Sequence, residues 1–232
     1  MMDPNGPFHL ADREPVAQAI EAAAACATLD ELYAAIRDYK GHEHAQNGAY
    51  TPSWPVSHDH RHPDGPLMII CEKPEVGDLG SDRPFTGQDY GWAMAEVLGW
   101  YGVDVRQVHT TFACHWTPPG DKPLNATMLS ASRPFLFREI EIVKPRAILA
   151  PGRGVMESLF MYRDKLEDIL GMTMDWKRSG MRIPVTCVWH PAFVARFKTQ
   201  MGVYGDQVGN FFGRFGLPDG RPAPVKNIRH AA

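Results

Sequence analysis

Apolar residues recur along this chain in two rhythms, and the alternation between them organises it. From Pro15 to Tyr39 the spacing is helical with one interruption, which predicts two short helices. Thr28 followed by Glu31 has the pattern of a capping box and starts the second, Leu29 to Tyr39. The stretch Gly41 to Pro66 is polar and rich in His and Pro, and is assigned no regular structure. Beyond it, short apolar runs alternate with longer helical ones. Leu67 to Cys71 reads as a buried strand, and Asp89 to Trp100 as a helix with Trp92, Ala95, Val97 and Leu98 among its apolar positions. Val105 to Cys114 reads as a second strand, and a Pro/Gly loop, Thr117 to Leu124, separates it from a helix at Ala126 to Val143. Arg146 to Ala150 is a third strand, Gly152 to Tyr162 a helix, Ile183 to Trp189 a fourth strand, and Val194 to Phe215 a final helical region. The tail after Gly216 is expected to be loose.

Strands that alternate with helices imply a parallel sheet covered on both faces. The expected fold class is α/β, a three-layer sandwich with a central parallel four-stranded sheet flanked by helices. Its domain spans residues 67–216. An N-terminal helical segment (1–40) and the polar loop (41–66) precede it, and a tail (217–232) follows. In such folds ligands sit beyond the carboxyl ends of the strands. Chemistry is therefore sought in Cys71 to Gly87, Cys114 to Asp121, Pro151 to Gly154 and His190 to Arg196.

Composition narrows the class. Hydrophobic residues make up 44% and charged residues 22% of the 232, as in a globular protein with a substantial core. No run approaches the ~20 apolar residues that span a bilayer, and Met1 to Leu10 lacks the basic-then-apolar pattern of a secretory signal. Cys26, Cys71, Cys114 and Cys187 are far apart, and three of them sit in apolar runs, which argues for a reducing cytoplasm and against a disulfide framework. A net charge of −3 is not the footprint of a protein that coats nucleic acid, although a local basic groove is compatible with it.

The loop from Cys71 to Gly87 carries four carboxylates and three glycines. A carboxylate at a strand end can orient water or act as a base, and Phe85 can stack on a planar ring; a solvated, turn-rich loop is the alternative. His190, followed by Pro191, Ala192 and Phe193, stands at a strand end where it can donate a hydrogen bond to a forming anion, or be satisfied within the structure. His58, His60 and His62 alternate in a way that can hold a metal, or belong to a flexible polar loop. Gly152-Arg153-Gly154 opens a helix after a strand and suits either a phosphate or close packing of the turn.

Together these pieces resemble the uracil-DNA glycosylase superfamily, and family four most closely. That family carries Gly-Glu-Ala-Pro-Gly and then Pro-Phe-Val-Gly; here Cys71-Glu72-Lys73-Pro74-Glu75 precedes Pro84-Phe85-Thr86-Gly87 with the same ten-residue step between prolines. The family's His-Pro-Ser-hydrophobic motif is matched by His190-Pro191-Ala192-Phe193, with Arg196 close behind. Pro118-Pro119-Gly120 and the run from Ser132 through Pro134 to Lys144-Pro145 match two further segments.

The resemblance implies a monofunctional DNA glycosylase that hydrolyses the N-glycosidic bond of uracil, or of another damaged or modified base, in base excision. Phe85 would stack on the flipped base, with Thr111 and Phe112 beside it. Glu72 or Asp78 would position water, and His190 would stabilise the departing base. Lys73, Pro118, Gly120, Pro191 and Arg196 would face DNA. The implied partners are DNA and a flipped nucleobase, and the protein is expected to be a cytoplasmic monomer with no membrane partner.

The chain also departs from the family. Family four holds an iron–sulfur cluster on four cysteines; here His42 stands near the first position and Trp116 and Ser132 at the last two, so no cluster, no other cofactor and no metal are expected. At most, His42, His44, Cys114 and His115 would form a different metal site. Lys73 and Glu75 replace two small residues. Phe112 stands where the family's asparagine reads the uracil edge, and a phenyl ring cannot make an amide's paired hydrogen bonds. Two other readings follow: a catalytically inactive relative that binds DNA, and a metal-dependent hydrolase built on His58, His60 and His62.

Overall fold

The computed structural model describes residues 13–56, 64–81, 83–86, 91–219 and 221. In chain order its elements are α1 (Arg13–Ala24), α2 (Leu29–Asp38), α3 (Glu43–Asn47), β1 (Ala49–Tyr50), β2 (Leu67–Cys71), α4 (Gly91–Trp100), β3 (His109–Phe112), β4 (Trp116–Thr117), α5 (Ala126–Val143), β5 (Ala147–Pro151), α6 (Arg153–Phe160), β6 (Thr173–Arg178), β7 (Met181–Val188), α7 (Pro191–Arg196) and α8 (Met201–Phe215). The expected capping box is formed: Thr28 Oγ1 accepts the Glu31 N–H, and the Glu31 carboxylate accepts the Thr28 N–H at 3.1 Å.

The central sheet runs β3-β2-β5-β7-β6. The first four strands are mutually parallel, as expected, and correspond to the four apolar runs. The fifth corrects the strand count. β6 pairs antiparallel with β7 through a two-residue turn, Ser179-Gly180, with φ of 50° and 76°. Two positive φ values suit a tight hairpin whose twist matches its strands. This edge strand reads Thr-Met-Asp-Trp-Lys-Arg and has no apolar run, because much of it faces solvent. Residues 43–54 of the polar loop have regular structure that was not expected: they contain α3, β1 pairs with β4, and Trp54 bridges to Thr110. The final helical region is two helices, α7 and α8, separated by a 3-10 turn at Lys198–Gln200. The second strand is shorter than expected, since Val105–Gln107 is a 3-10 turn.

Alternation along the strands builds two cores. Leu67 and Ile69 of β2 and Ala147 and Leu149 of β5 pack with Met94, Val97 and Leu98 of α4 and with Tyr204, Val208 and Phe212 of α8. Met68, Ile70, Ile148 and Ala150 point the other way, against Leu136 and Ile140 of α5 and Val155 and Met156 of α6. The N-terminal helices add an outer layer, in which Leu32, Ile36 and Tyr39 pack with Trp116 and Phe135. The register pairs Cys71 with Phe112 and Pro151 with Val188, so the four parallel strands end along one edge.

Candidate active site

A cleft opens along that edge. It is lined from the loop after β2 by Lys73, Glu75, Asp78 and Phe85, from β3 by Thr110 and Phe112, and from the loop after β7 by His190 and Pro191. Six of the residues singled out in the sequence therefore meet in one place: Lys73, Asp78, Phe85, Phe112, His190 and Pro191.

His190 is the N-cap of α7, and its Nδ1 accepts the Ala192 N–H at 3.1 Å. A ring nitrogen that accepts carries no proton, so the proton of the neutral imidazole is on Nε2. Burial, and then the Lys73 charge, push the pKa of His190 down to about 4. At neutral pH the ring is an uncharged donor. Its position depends on Gly152, where a Cβ would stand 2.9 Å from His190 Cδ2 and where φ is +90°.

Asp78 is buried and fixes the loop after β2. One carboxylate oxygen accepts the Glu75 N–H at 3.1 Å, and the other accepts the Thr86 N–H at 3.2 Å and the Thr86 hydroxyl at 3.3 Å. These bonds clamp the turn that holds Phe85 in the left-handed region, at φ 62°. Such a conformation in a phenylalanine persists only where its surroundings impose it.

Glu72 lies outside the cleft lining. Its carboxylate accepts the Gly154 N–H at the start of α6, and burial raises its pKa against the opposing effects of Lys73 and that hydrogen bond. A Cβ on Gly154 would come within 2.6 Å of the Glu72 carboxyl carbon. The Gly-Arg-Gly turn thus serves close packing of two loops: Gly154 admits Glu72 and Gly152 admits His190.

Lys73 is buried and forms an ion pair with Asp121, which follows Gly120 in the Pro118 loop. Thr117 ties that loop to the first one by donating to the Pro74 carbonyl at 3.0 Å. Pro118 and Gly120 are therefore beside the cleft rather than in its lining. Arg196 is exposed in the last turn of α7 and is not among the lining residues.

Thr111 points away from the cleft. Its hydroxyl donates to Glu139 at 2.6 Å and accepts from Ser53 at 2.9 Å. Glu139 is completely buried and also accepts from His109 at 2.8 Å and Tyr33 at 3.0 Å. Burial opposes its ionisation, but the bonds from His109 and His115 outweigh that and hold its pKa below the usual carboxylate range. This polar layer under β3 leaves Thr110 and Phe112, the alternate positions, facing the cleft. Sequence reasoning missed Thr110 and Trp54, and noted Glu75 only as a departure from the family motif. Strand alternation pointed to Thr110 once Phe112 was in the cleft, whereas Trp54 lay in a stretch without periodicity.

The three positions expected to replace cluster cysteines do converge. His42 and His44 are in ring contact, His44 packs edge-on against Trp116 with centroids 5.2 Å apart, and its Nε2 lies 3.4 Å from the Ser132 hydroxyl. Tyr39 and Phe135 complete the cluster. Burial raises the Cys114 thiol to about 11, so it is protonated, and it donates to the Trp116 carbonyl. These groups do not fit an iron–sulfur cluster, which needs several thiolates. His42, His44, Cys114 and His115 do not form one site either, because His115 turns to the Thr51 carbonyl and Glu139. Among the described residues no group of three or more His, Cys, Asp or Glu is placed to hold a metal; His58, His60 and His62 lie outside the described residues.

The fold and the cleft define an α/β protein with its cleft at the carboxyl edge of a parallel sheet, where ligands bind in such folds. A family model described as Uracil DNA glycosylase superfamily matches residues 58–207, and the chain belongs to that superfamily. It is similar to the Type-4 uracil-DNA glycosylase of Pyrobaculum aerophilum, with 30% identity over 151 residues that cover 63% of this chain and 76% of that protein. It is 24% identical over 135 residues to the Type-4 uracil-DNA glycosylase of Sulfurisphaera tokodaii, covering 56% of this chain and 61% of the relative. The corresponding protein of Thermotoga maritima is 26% identical over 135 residues, covering 57% and 68%. Among the described residues no helix is long and apolar enough to cross a membrane.

Proposed function

We propose that this protein is a DNA glycosylase that hydrolyses the N-glycosidic bond of uracil, or of another damaged or modified base, after flipping the nucleotide out of DNA. The observation that carries this reading is His190 in the cleft lining: Nδ1 is committed as an acceptor, so the neutral ring carries its proton on Nε2. Breaking the C1′–N bond leaves the bonding pair on the base and positive charge on the sugar. A fixed donor beside the base stabilises the first charge without having to give up a proton. Phe85 supports the stacking face of the pocket. Asp78 lines the cleft and has lone-pair capacity beyond its three hydrogen bonds, which suits it to orient the water that adds at C1′. Glu72 then acts as a positioning residue through the turn before α6.

The buried rings around Trp116 replace an iron–sulfur cluster in this reading, and the protein works without metal or cofactor. DNA is the substrate, a monomer suffices, and the cytoplasm is the expected compartment. A non-cleaving DNA-binding relative is the second reading, supported by Phe112 in the lining, where an amide would have read the base.

A glycosylase assay tests the proposal. Oligonucleotides carrying uracil, hypoxanthine, xanthine or 5-hydroxymethyluracil, single- and double-stranded, are incubated with the protein and cleaved with alkali at abasic sites. Release of at least one base, slowed about 10²–10³-fold in His190→Asn, is the expected result. A folded protein that binds these DNAs and releases none of the bases would move the assignment to the second reading.

A further inference from the structure

We infer that Thr110 is the specificity-determining residue of the base pocket, its hydroxyl making the in-plane hydrogen bond to the edge of the flipped base. This inference rests on the glycosylase reading and adds a residue to it.

Thr110 is completely buried and lines the cleft, yet its Oγ1 has no hydrogen-bond partner. The other orphaned atoms, on Thr51, Trp116, Arg146 and Ser158, belong to residues outside the cleft lining. Buried polar atoms in folded proteins are nearly always paired, and an unpaired hydroxyl costs stability. The neighbouring hydroxyl follows the rule, because Thr111 is bonded to both Glu139 and Ser53. The backbone of Thr110 is paired too: its N–H donates to the Trp54 carbonyl at 3.0 Å, and its carbonyl accepts the Trp54 N–H at 2.8 Å. The deficit is therefore confined to one buried side-chain oxygen on a residue that lines the cleft.

Its neighbours in the wall on and beside β3 are aromatic. Phe112, two residues on, shares its face of β3, and Trp54 packs edge-on against Phe112 with centroids 5.5 Å apart. A phenyl ring offers a base no hydrogen bond. A hydroxyl can both donate and accept, so it matches a keto oxygen or a ring N–H equally. A two-pronged amide fixes one donor–acceptor order, whereas a single hydroxyl does not. The β3 side of the pocket is therefore permissive: beyond the His190 donor, a base is held there by stacking and one edge bond. Bases that differ in edge pattern should be processed with kcat/KM within about tenfold of one another, the scale of one neutral hydrogen bond.

The test compares wild type, Thr110→Val, Thr110→Ser and, as a contrast, Thr111→Val. Urea unfolding without ligand is measured first. Thr110→Val should be as stable as wild type or more so, because it removes an unpaired hydroxyl while keeping the shape, whereas Thr111→Val should be less stable. Activity on the base panel, and inhibition or thermal shift by free uracil and free hypoxanthine, are measured next. Thr110→Val should lose about tenfold in kcat/KM and in free-base affinity, and Thr110→Ser should restore both. If wild type releases no base but free-base binding weakens in Thr110→Val, the glycosylase reading fails and the role of Thr110 stands. Destabilisation of Thr110→Val comparable to Thr111→Val, or unchanged activity and base affinity, overturns the inference. So does a wild-type protein that neither cleaves nor binds any base of the panel.

Discussion

His190 stands against Gly152, so close that a Cβ on the glycine would lie 2.9 Å from His190 Cδ2. Both the contact and the φ of +90° require a residue without a side chain. Gly152→Ala should therefore displace the imidazole as well as strain the turn. A loss of ten- to a hundredfold in kcat is expected, about what an ångström of misplacement costs, with DNA affinity little changed. Single-turnover kinetics beside a binding titration would show it; unaltered kcat would remove the contact from the mechanism.

Asparagine at position 190 separates capping from chemistry. Its side chain can still accept the Ala192 N–H, as the ring Nδ1 does at 3.1 Å, and it is a favourable N-cap. It lacks the far ring nitrogen. His190→Asn should melt close to wild type, bind DNA within a fewfold, and turn over about 10²–10³ times more slowly.

The acid side of the pH profile follows from the same residue. With the His190 pKa lowered to about 4, the neutral donor persists well below pH 6.5. The kcat/KM profile should lack a limb at the ordinary histidine value and fall only near pH 4. A limb at 6.5 that disappears in His190→Asn would contradict this.

Stability should move the other way over that range. His190 and His44 are both depressed, the latter to about 3, first by burial. As pH falls below about 6.5 the unfolded chain takes up protons that the folded chain refuses, so stability is lost down to those folded values. Between pH 6.5 and 5 each histidine contributes a loss on the order of 1–2 kcal/mol. Urea titrations at the two pH values measure it, and no change would refute the buried, neutral state of these rings.

Removal of Glu139 should be felt by the whole domain. Its two oxygens accept from Tyr33, His109 and Thr111, which join α2, α5 and β3. Glu139→Ala leaves those donors buried without their acceptor and should cost about 3–5 kcal/mol in urea unfolding. A loss within 1 kcal/mol would mean that the donors find other partners.

The residues around Trp116 make the last prediction. The purified protein should contain no stoichiometric iron, show no visible absorbance from a cluster, and unfold at the same temperature with and without chelator. A brown protein that loses stability on chelation would overturn the cluster-free reading.

The chain's own pattern determined the four parallel strands, the helices between them and the edge where the site lies. Those features follow from local periodicity, which backbone geometry converts directly into faces and ends. Motif order, with the family behind it, brought together Lys73, Asp78, Phe85, Phe112, His190 and Pro191. What tertiary structure decided was orientation and pairing. β6 escaped notice because an edge strand needs no apolar run, only a neighbour and a tight turn. Glu72 and Asp78 look alike in sequence; the fold gives one to the start of α6 and the other to the turn that holds Phe85. Thr110 and Thr111 are the same residue side by side. The alternation of one strand, with Glu139 beneath it, buries the second in a satisfied network and leaves the first in the cleft lining with its hydroxyl unpaired.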